Sequence, residues 1–398
     1  MRKRSGSPPE VTPKRREEII TQVREYQLIT PLYGGGVTPA EADPITVVRA
    51  TEIRGHLRFW WRACRGGQYG GNPAAIKQAE DALWGATGTK QGGGPSQVQI
   101  EVTGYSVANP NAPSIAPAYV VFPLRQTPNK PLYVDVSFTL AISFPSAFQK
   151  EVEATLRMWE IFGGIGARTR RGFGALRLIS VNGVPDSDLP NSTTAETNTW
   201  MQHLFEQCVV EGLYPPGLPH LTPSTVFKIT DSSQNAMVAW GNLIKKLASF
   251  RQARNGPRGR SYWPEPEAIR TITGQRYNKH PALNHPCKFP RAAFGLPIIF
   301  HFKYADRGEP EESTLQGKQE GSQRFASPLI LRPLICRDNR AVGIALLLEG
   351  SRIPPPGGII LDSDPTTTRD TQLTPAEAMA IPVLHGQTDV LLAFMNYL

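Results

Sequence analysis

Apolar positions along the chain change period several times, and each change marks an element. EYQLIT (25–30) alternates and predicts a strand that stops at Pro31 and the glycines of TPLYGGG. From Thr51 the period becomes 3.6: Ile53, Leu57, Trp60, Trp61 and Cys64 share one face, with Thr51 placed as N-cap and Gly66 and Gly67 ending the helix. VQIEV (98–102) alternates again. LYVDVSFTLAISF (132–144) does so without a break, putting Leu132, Val134, Val136, Phe138, Leu140, Ile142 and Phe144 on one side. Phe148, Val152, Leu156 and Trp159 then fall at helical spacing, and ALRLISV (175–181) returns to strand character. The order β, α, β, β, α, β is the split βαβ, or ferredoxin-like, arrangement, with both helices on one face of an antiparallel sheet.

Beyond it, residues 183–223 are rich in Asn, Ser, Thr and Pro and predict a linker. A second unit over 224–398 opens with a strand (STVFKIT, 224–230) and a helix (236–254). Strands follow at LPIIFHF (296–302), PLILRPL (328–334) and VGIALLLEG (342–350). The opening β then α is repeated, without a clean copy of the rest. The expected fold class is α+β: two ferredoxin-like (βαββαβ, RRM-like) domains in tandem, at 25–182 and 224–398, the second less regular. Residues 1–24 have no apolar period and carry Arg2, Lys3, Arg4, Lys14, Arg15 and Arg16, so they are read as a basic mobile arm.

Composition narrows the class. The 398 residues are 40% hydrophobic and 19% charged, with no apolar run near the ~18 residues of a membrane span and no apolar segment after the basic start. The expectation is a soluble, cytoplasmic protein with no membrane partner. Cys64, Cys208, Cys287 and Cys336 lie far apart, which disfavours a disulfide scaffold or a ribbon-type zinc site. Against 34 Asp and Glu stand 43 Lys and Arg, a net charge of +9. That balance suits a polyanion through counterion release, although a merely basic soluble protein has it too.

Distribution therefore matters. GGIGARTRRGFGAL (163–176) sets Gly163, Gly164, Gly166, Gly172 and Gly174 around Arg168, Arg170 and Arg171. It lacks the Gly-Lys-Ser/Thr of a Walker loop and lies between helix and strand in the reverse order, and Thr169 breaks a G-x-G-x-x-G fingerprint. Nucleotide cofactors lose support, and no cofactor is expected. RGFG (171–174) fits the first half of an RNP1 string, but Ala175 and Leu178 stand where stacking aromatics are needed. What survives is a backbone clamp, in which glycine N–H groups and forked guanidiniums meet phosphates. The alternative is a long turn kept solvated by its arginines. On the first helix Arg54, Arg58 and Arg62 recur every four residues beside Arg65, a row that an anion would relieve, or that acidic residues such as Glu52 could pair.

TPLYGGG, the run R-x-T-E-I-R-G-H-L-R-F-W-W-R from Arg49 to Arg62, and the glycine and arginine loop resemble the repeat-associated mysterious proteins (RAMP superfamily) of CRISPR systems. With FPRAAFGLPI (289–298) and RFASPLILRP (324–333), the resemblance narrows to first subunits of the type III-B Cmr effector complex. It implies two ferredoxin-like domains in a ribonucleoprotein subunit near the 3′ part of the guide RNA. Such a subunit helps hold complementary target RNA, beside other RAMP subunits, while a repeated backbone subunit does the cutting. The basic tail, the linker and KYADRGEPEESTLQGKQEGSQ (303–323) stand as local elaborations.

RQARNGPRGRSYW (251–263) adds Arg251, Arg254, Arg258 and Arg260 running into Tyr262 and Trp263, with Arg276, Lys279 and Lys288 nearby. Arginines interleaved with aromatics can track a single strand; equally, the aromatics can be core anchors of an exposed loop. His56 has the right titration range for general acid or base work, yet only arginines accompany it, and packing is the commoner role. His280, His285 and Cys287 match no standard metal spacing, and LDSDPTTTRD (361–370) reads as a solvated turn, so no metal is expected. The leading expectation is a non-catalytic subunit binding guide and target RNA through Arg49, Arg54, Arg58, Arg62, the 163–174 loop and Arg251 to Arg260. The rivals are an RNA-processing endonuclease using His56 and a purely architectural subunit whose arginines face acidic partners.

Overall fold

A computed structural model of the chain describes residues 18–36, 43, 46–86, 94–107, 113–125, 132–256, 259–350, 355 and 357–398. The first half runs β1 (Ile19–Leu28), α1 (Ala50–Arg65), α2 (Pro73–Trp84), β2 (Gln99–Ser106), α3 (Ala118–Arg125), β3 (Ser137–Pro145), α4 (Gln149–Phe162), β4 (Leu176–Val181), β5 (Val184–Pro185) and α5 (Thr194–Cys208). Its antiparallel sheet has the order β2-β3-β1-β4-β5, the strand order of a split βαβ unit with one short strand added.

The differences from the sequence reading have physical causes. β1 begins six residues early because its buried face carries Gln22 and Arg24, whose polarity hides the alternation. Gln22 Nε2 donates to Glu153 at 2.7 Å and Arg24 Nη1 to Glu160 at 2.7 Å. β3 begins only at Ser137, because Asp135 takes a positive φ of 51° and separates Leu132 and Tyr133 from the strand. Those two residues serve the loop instead, through a bridge from Tyr133 to Leu32. Helix α1 starts one residue before Thr51, with Arg49 in the N-cap position and no side-chain cap. Part of the expected linker is helix α5, capped by Thr193, whose Met201, Leu204 and Phe205 are buried.

The second half contains β6 (Phe227–Ile229), α6 (Ala236–Arg251), α7 (Glu265–Thr273), β7 (Ile298–Phe300), β8 (Ser313–Gly317), β9 (Leu329–Ile335), β10 (Ala341–Leu347), β11 (Ile359–Leu361), α8 (Pro375–Met379) and α9 (Val390–Tyr397). The sheet β6-β10-β9 repeats the order β1-β3-β2, with α6 after its first strand and α9 after its hairpin. Among the described residues no strand takes the place of β4. A second small sheet, β11-β8-β7, has its own core around Ile269, Phe289 and Leu315.

The halves share their cores. Strand β9 is buried on both faces, which is why it reads as a near-continuous apolar run. Ile330 and Leu334 pack into the cluster of the first half with Trp159 and Phe162, while Leu329 and Leu331 face Trp240, Leu243 and Leu247 of α6. Arg332, fully buried on the first of these faces, donates to the carbonyls of Glu160 (2.8 Å), Gly163 (2.9 Å) and Leu176 (2.8 Å). It thereby satisfies the open C-terminal carbonyls of α4.

Candidate nucleic-acid interface

The glycine and arginine loop between α4 and β4 is anchored at two points. At its start, Gly166 (φ 86°) donates its N–H to Glu52 Oε1 of α1 at 2.5 Å, and Ala167 N–H donates to Tyr33 O at 2.6 Å. At its end, Gly172 (φ 86°) lies so close to α6 that a Cβ there would sit 2.4 Å from the indole nitrogen of Trp240. Phe173 is fully buried in the core of the second half, edge-on to Trp240 at 5.0 Å. Gly163 N–H donates to Trp159 O and Gly172 N–H to Thr169 O, and Gly164 packs on the backbone of Gly174. The N–H groups of Gly163, Gly166 and Gly172 are thus committed within the fold. The expectation that they face phosphate is corrected on that ground.

Two of the loop arginines reach across the junction. Arg170 Nη1 donates to Ser327 O at 2.5 Å, and Arg171 donates to Leu329 O at 2.7 Å and Phe294 O at 2.8 Å. Arg168, in the left-handed region at φ 62°, is exposed and makes one long bond to Val120 O at 3.3 Å. The loop is a clasp between halves, and Arg168 is the exposed residue among its three arginines.

Several other predicted arginines are paired with carboxylates. Arg58 and Arg62 both hold Glu80 of α2, at 2.5 and 2.7 Å, and Arg58 also reaches Asp81 at 3.1 Å. Arg65 holds Glu151 at 2.6 Å. Arg260 pairs with Glu267, which also takes Arg276 at 2.5 Å. These pairs fix α1 to α2 and order the loop after α6, so Arg58, Arg62 and Arg260 leave the candidate set. Arg254 is exposed and donates to Gln252 O at 3.2 Å; Arg258 lies outside the described residues. Trp263 is a core anchor, donating to Phe250 O at 3.0 Å, and half-buried Tyr262 packs against the same cluster.

What remains is a seam of arginines at the junction. Arg168, Arg170, Arg171, Arg251 and Arg324 have no carboxylate partner among the described residues. Arg251 donates to Tyr119 Oη at 3.0 Å and stacks on Phe294, and Arg170 lies over Phe59 at 5.3 Å. Their electrostatics carry the signature of crowding. Burial pulls Arg170 down to about 10, and burial together with Arg251, Arg170 and Arg168 pulls Arg171 down to about 9. Arg168 is lowered by burial and by its neighbour Arg324. Groups that have lost water and gained like charges are stabilised by an incoming anion. On α1, Arg49 donates to Gly35 O, while its Nε and the Nε of Arg54 are buried without a partner.

Arg324 was missed in the sequence because it stands alone; only its place at the head of RFASPLILRP marked it. Glu52, by sequence a possible partner for arginine, instead holds Gly166. His56 is half-buried with Nε2 3.5 Å from Glu52 Oε1, an i,i+4 pair on one helix. Among the described residues no group of three His, Cys, Asp or Glu is placed to hold a metal ion. Asp364 is lowered to about 2 by hydrogen bonds from Thr366 and Thr367 and by Arg369, the chemistry of a turn. No helix among the described residues is long and apolar enough to cross a membrane.

The chain is similar to several known proteins. Residues 25–177 match the RAMP superfamily. Over 182 residues the chain is 26% identical to the CRISPR system Cmr subunit Cmr1-2 of Pyrococcus furiosus, covering 39% of this chain and 92% of that protein. Over 158 residues it is 25% identical to Cmr1-1 of the same organism, covering 37% of this chain and 45% of that protein, less than half its length. Among solved structures, the crystal structure of apo Cmr1 from Pyrococcus furiosus aligns with TM-score 0.48 at 16% identity, over 83% of this chain and 88% of that one. A chain in the cryo-EM structure of the type III-B Cmr-beta bound to cognate target RNA aligns with TM-score 0.49 at 13% identity, over 84% and 96%. By these matches residues 25–177 are similar to the RAMP superfamily, and the chain is similar to Cmr1 subunits of the CRISPR system of Pyrococcus furiosus.

Proposed function

We propose that this chain is a non-catalytic RNA-binding subunit of a type III-B CRISPR ribonucleoprotein, contacting guide RNA near its 3′ end and helping to hold complementary target RNA. The observation that carries the reading is the carboxylate-free arginine seam, Arg168, Arg170, Arg171, Arg251 and Arg324, at the junction of the two halves. Arg168 and Arg324, the exposed residues of the seam, offer their guanidiniums to a phosphodiester backbone, while Arg170 and Arg171 hold the surface that presents them. Arg49, Arg54 and Arg254 extend it. The names of its curated relatives place those proteins in Cmr systems, and the same setting is proposed here, with other RAMP subunits as neighbours in the cytoplasm. Both halves are proposed as ferredoxin-like, with the first complete and the second interrupted by the β11-β8-β7 sheet.

The non-catalytic part of the reading is supported by His56, which lies 3.5 Å from Glu52, the residue that pins the loop. RNA cleavage needs an acid, a base and a stabiliser for the developing charge, set around one phosphate. Incubation of the chain with labelled guide and target RNA tests it: the account expects bound, intact RNA. Discrete metal-independent cuts that vanish in His56→Ala would make it an endonuclease instead.

A further inference from the structure

The insertion after α6 carries a second cluster that the seam does not use. Tyr277, His280 and Tyr304 are half-buried and packed together, with ring centroids 5.4 Å apart for Tyr277 and Tyr304, 5.3 Å for Tyr277 and His280, and 5.9 Å for His280 and Tyr304. Cations crowd the rings. Lys303 Nζ lies 5.4 Å and the Arg307 guanidinium 5.5 Å from the centre of Tyr304, and both residues are exposed, as is Lys279 beside His280.

The cluster is built on a buried carboxylate. Glu309, 2% exposed, accepts from Arg270 Nε at 2.6 Å and Tyr277 N–H at 3.2 Å, and lies 2.5 Å from His280 Nδ1. One acidic side chain thus fixes the backbone of Tyr277 and the ring of His280. Beside it Glu267, equally buried, holds Arg276 and Arg260. On the surface here Asp306 lies 3.7 Å from Arg307, and the exposed Glu311 and Glu312 follow Glu309 in the chain.

Aromatic rings that keep part of their surface open, held rigidly and ringed by lysine and arginine, are what a single nucleic-acid strand uses: bases lie on rings and phosphates meet the cations. We propose that Tyr277, His280 and Tyr304, with Lys279, Lys303 and Arg307, form a second RNA contact that takes unpaired bases of a single strand. Inclined rings 5 to 6 Å apart suit splayed bases and offer no slot to a stacked duplex. The proposal rests on the reading of the chain as an RNA binder, and it uses residues separate from the seam.

The experiment measures affinity of the full chain for a mixed-sequence single-stranded RNA carrying 5-iodouridine, followed by photocrosslinking and peptide mapping. Tyr304→Ala is expected to weaken binding by about 5- to 150-fold without changing the salt slope, whereas Tyr304→Phe keeps both the affinity and the crosslink. Lys303→Ala with Arg307→Ala is expected to lower the salt slope by about 1.4. Arg168→Ala with Arg324→Ala should leave the crosslink at Tyr277 or Tyr304 in place. Wild-type affinity in a folded Tyr304→Ala chain, with loss of affinity in the Arg168 and Arg324 variant, overturns this contact alone and leaves the cluster as a protein-facing surface. Absence of RNA binding by the unmodified chain overturns both.

Discussion

The indole nitrogen of Trp240 donates to the carbonyl oxygen of Arg171 at 2.7 Å. One hydrogen bond thus ties the first helix of the second half to the loop that closes the first half. Around it Phe173 enters the second core, Gly172 gives up its side-chain space to Trp240, and Arg170 and Arg171 hold carbonyls on either side of the start of β9. The loop expected to grip phosphate grips the other half of the protein, and so fixes where the exposed Arg168 points.

Gly172→Ala tests that closeness. The new Cβ would fall 2.4 Å from the Trp240 nitrogen at a φ of 86° that L residues avoid. A loss of about 2 to 4 kcal/mol is expected from strain and overpacking together, read from urea unfolding. A neutral result would show that the junction is looser than described.

Arg332→Leu should be more damaging than its surface-like composition suggests. The guanidinium is fully buried with no carboxylate partner among the described residues, and burial pulls it down to about 9, so at neutral pH it is still charged. Removing it strands the carbonyls of Glu160, Gly163 and Leu176, for an expected loss of about 3 to 5 kcal/mol by the same measurement.

These two positions show what the sequence discloses and what it withholds. The antiparallel strands and packed helices of the first half are legible because their buried faces are apolar, from Ile53 and Leu57 on α1 to Phe138 and Leu140 on β3. The early start of β1 was hidden by Gln22 and Arg24, buried but polar, whose partners Glu153 and Glu160 lie more than a hundred residues away. The same blindness applies to the site. Arg58 and Arg62 look like part of an anion site until the fold supplies Glu80, and no local pattern announces that pairing. Arg168, Arg170, Arg171 and Arg251 were visible, whereas Arg324 joins them only through folding.

The contrast between paired and unpaired arginines predicts separate effects. Arg62→Ala removes one of the two cations on Glu80 and should change stability by less than about 1 kcal/mol, leaving the salt dependence of RNA binding unchanged. A salt slope lowered by Arg62→Ala would return Arg62 to the interface.

Acid should loosen the inserted unit through Glu309. Burial pushes its carboxyl up, but hydrogen bonds from His280 and Arg270 and the Tyr277 N–H more than offset this, and it lies below the usual range. A carboxyl lower in the folded than in the unfolded chain gives stability that is present above the unfolded value of about 4.3 and is lost as pH falls through the folded one. Urea midpoints from pH 7 to pH 3 should therefore decline, and Glu309→Gln should be less stable at pH 7 with a shallower acid limb. Parallel curves for the two chains would contradict this assignment.

The central claim, that the arginine seam binds the RNA backbone, is tested most directly by the salt dependence of single-stranded RNA affinity, measured by fluorescence anisotropy on the unmodified chain and on Arg168→Ala with Arg324→Ala. Each lost phosphate contact reduces the log-log slope by about 0.7, so the account predicts a slope shallower by about 1.4 together with weaker binding at low salt. An unchanged slope and affinity in a folded double variant would contradict it and turn the seam toward acidic protein neighbours.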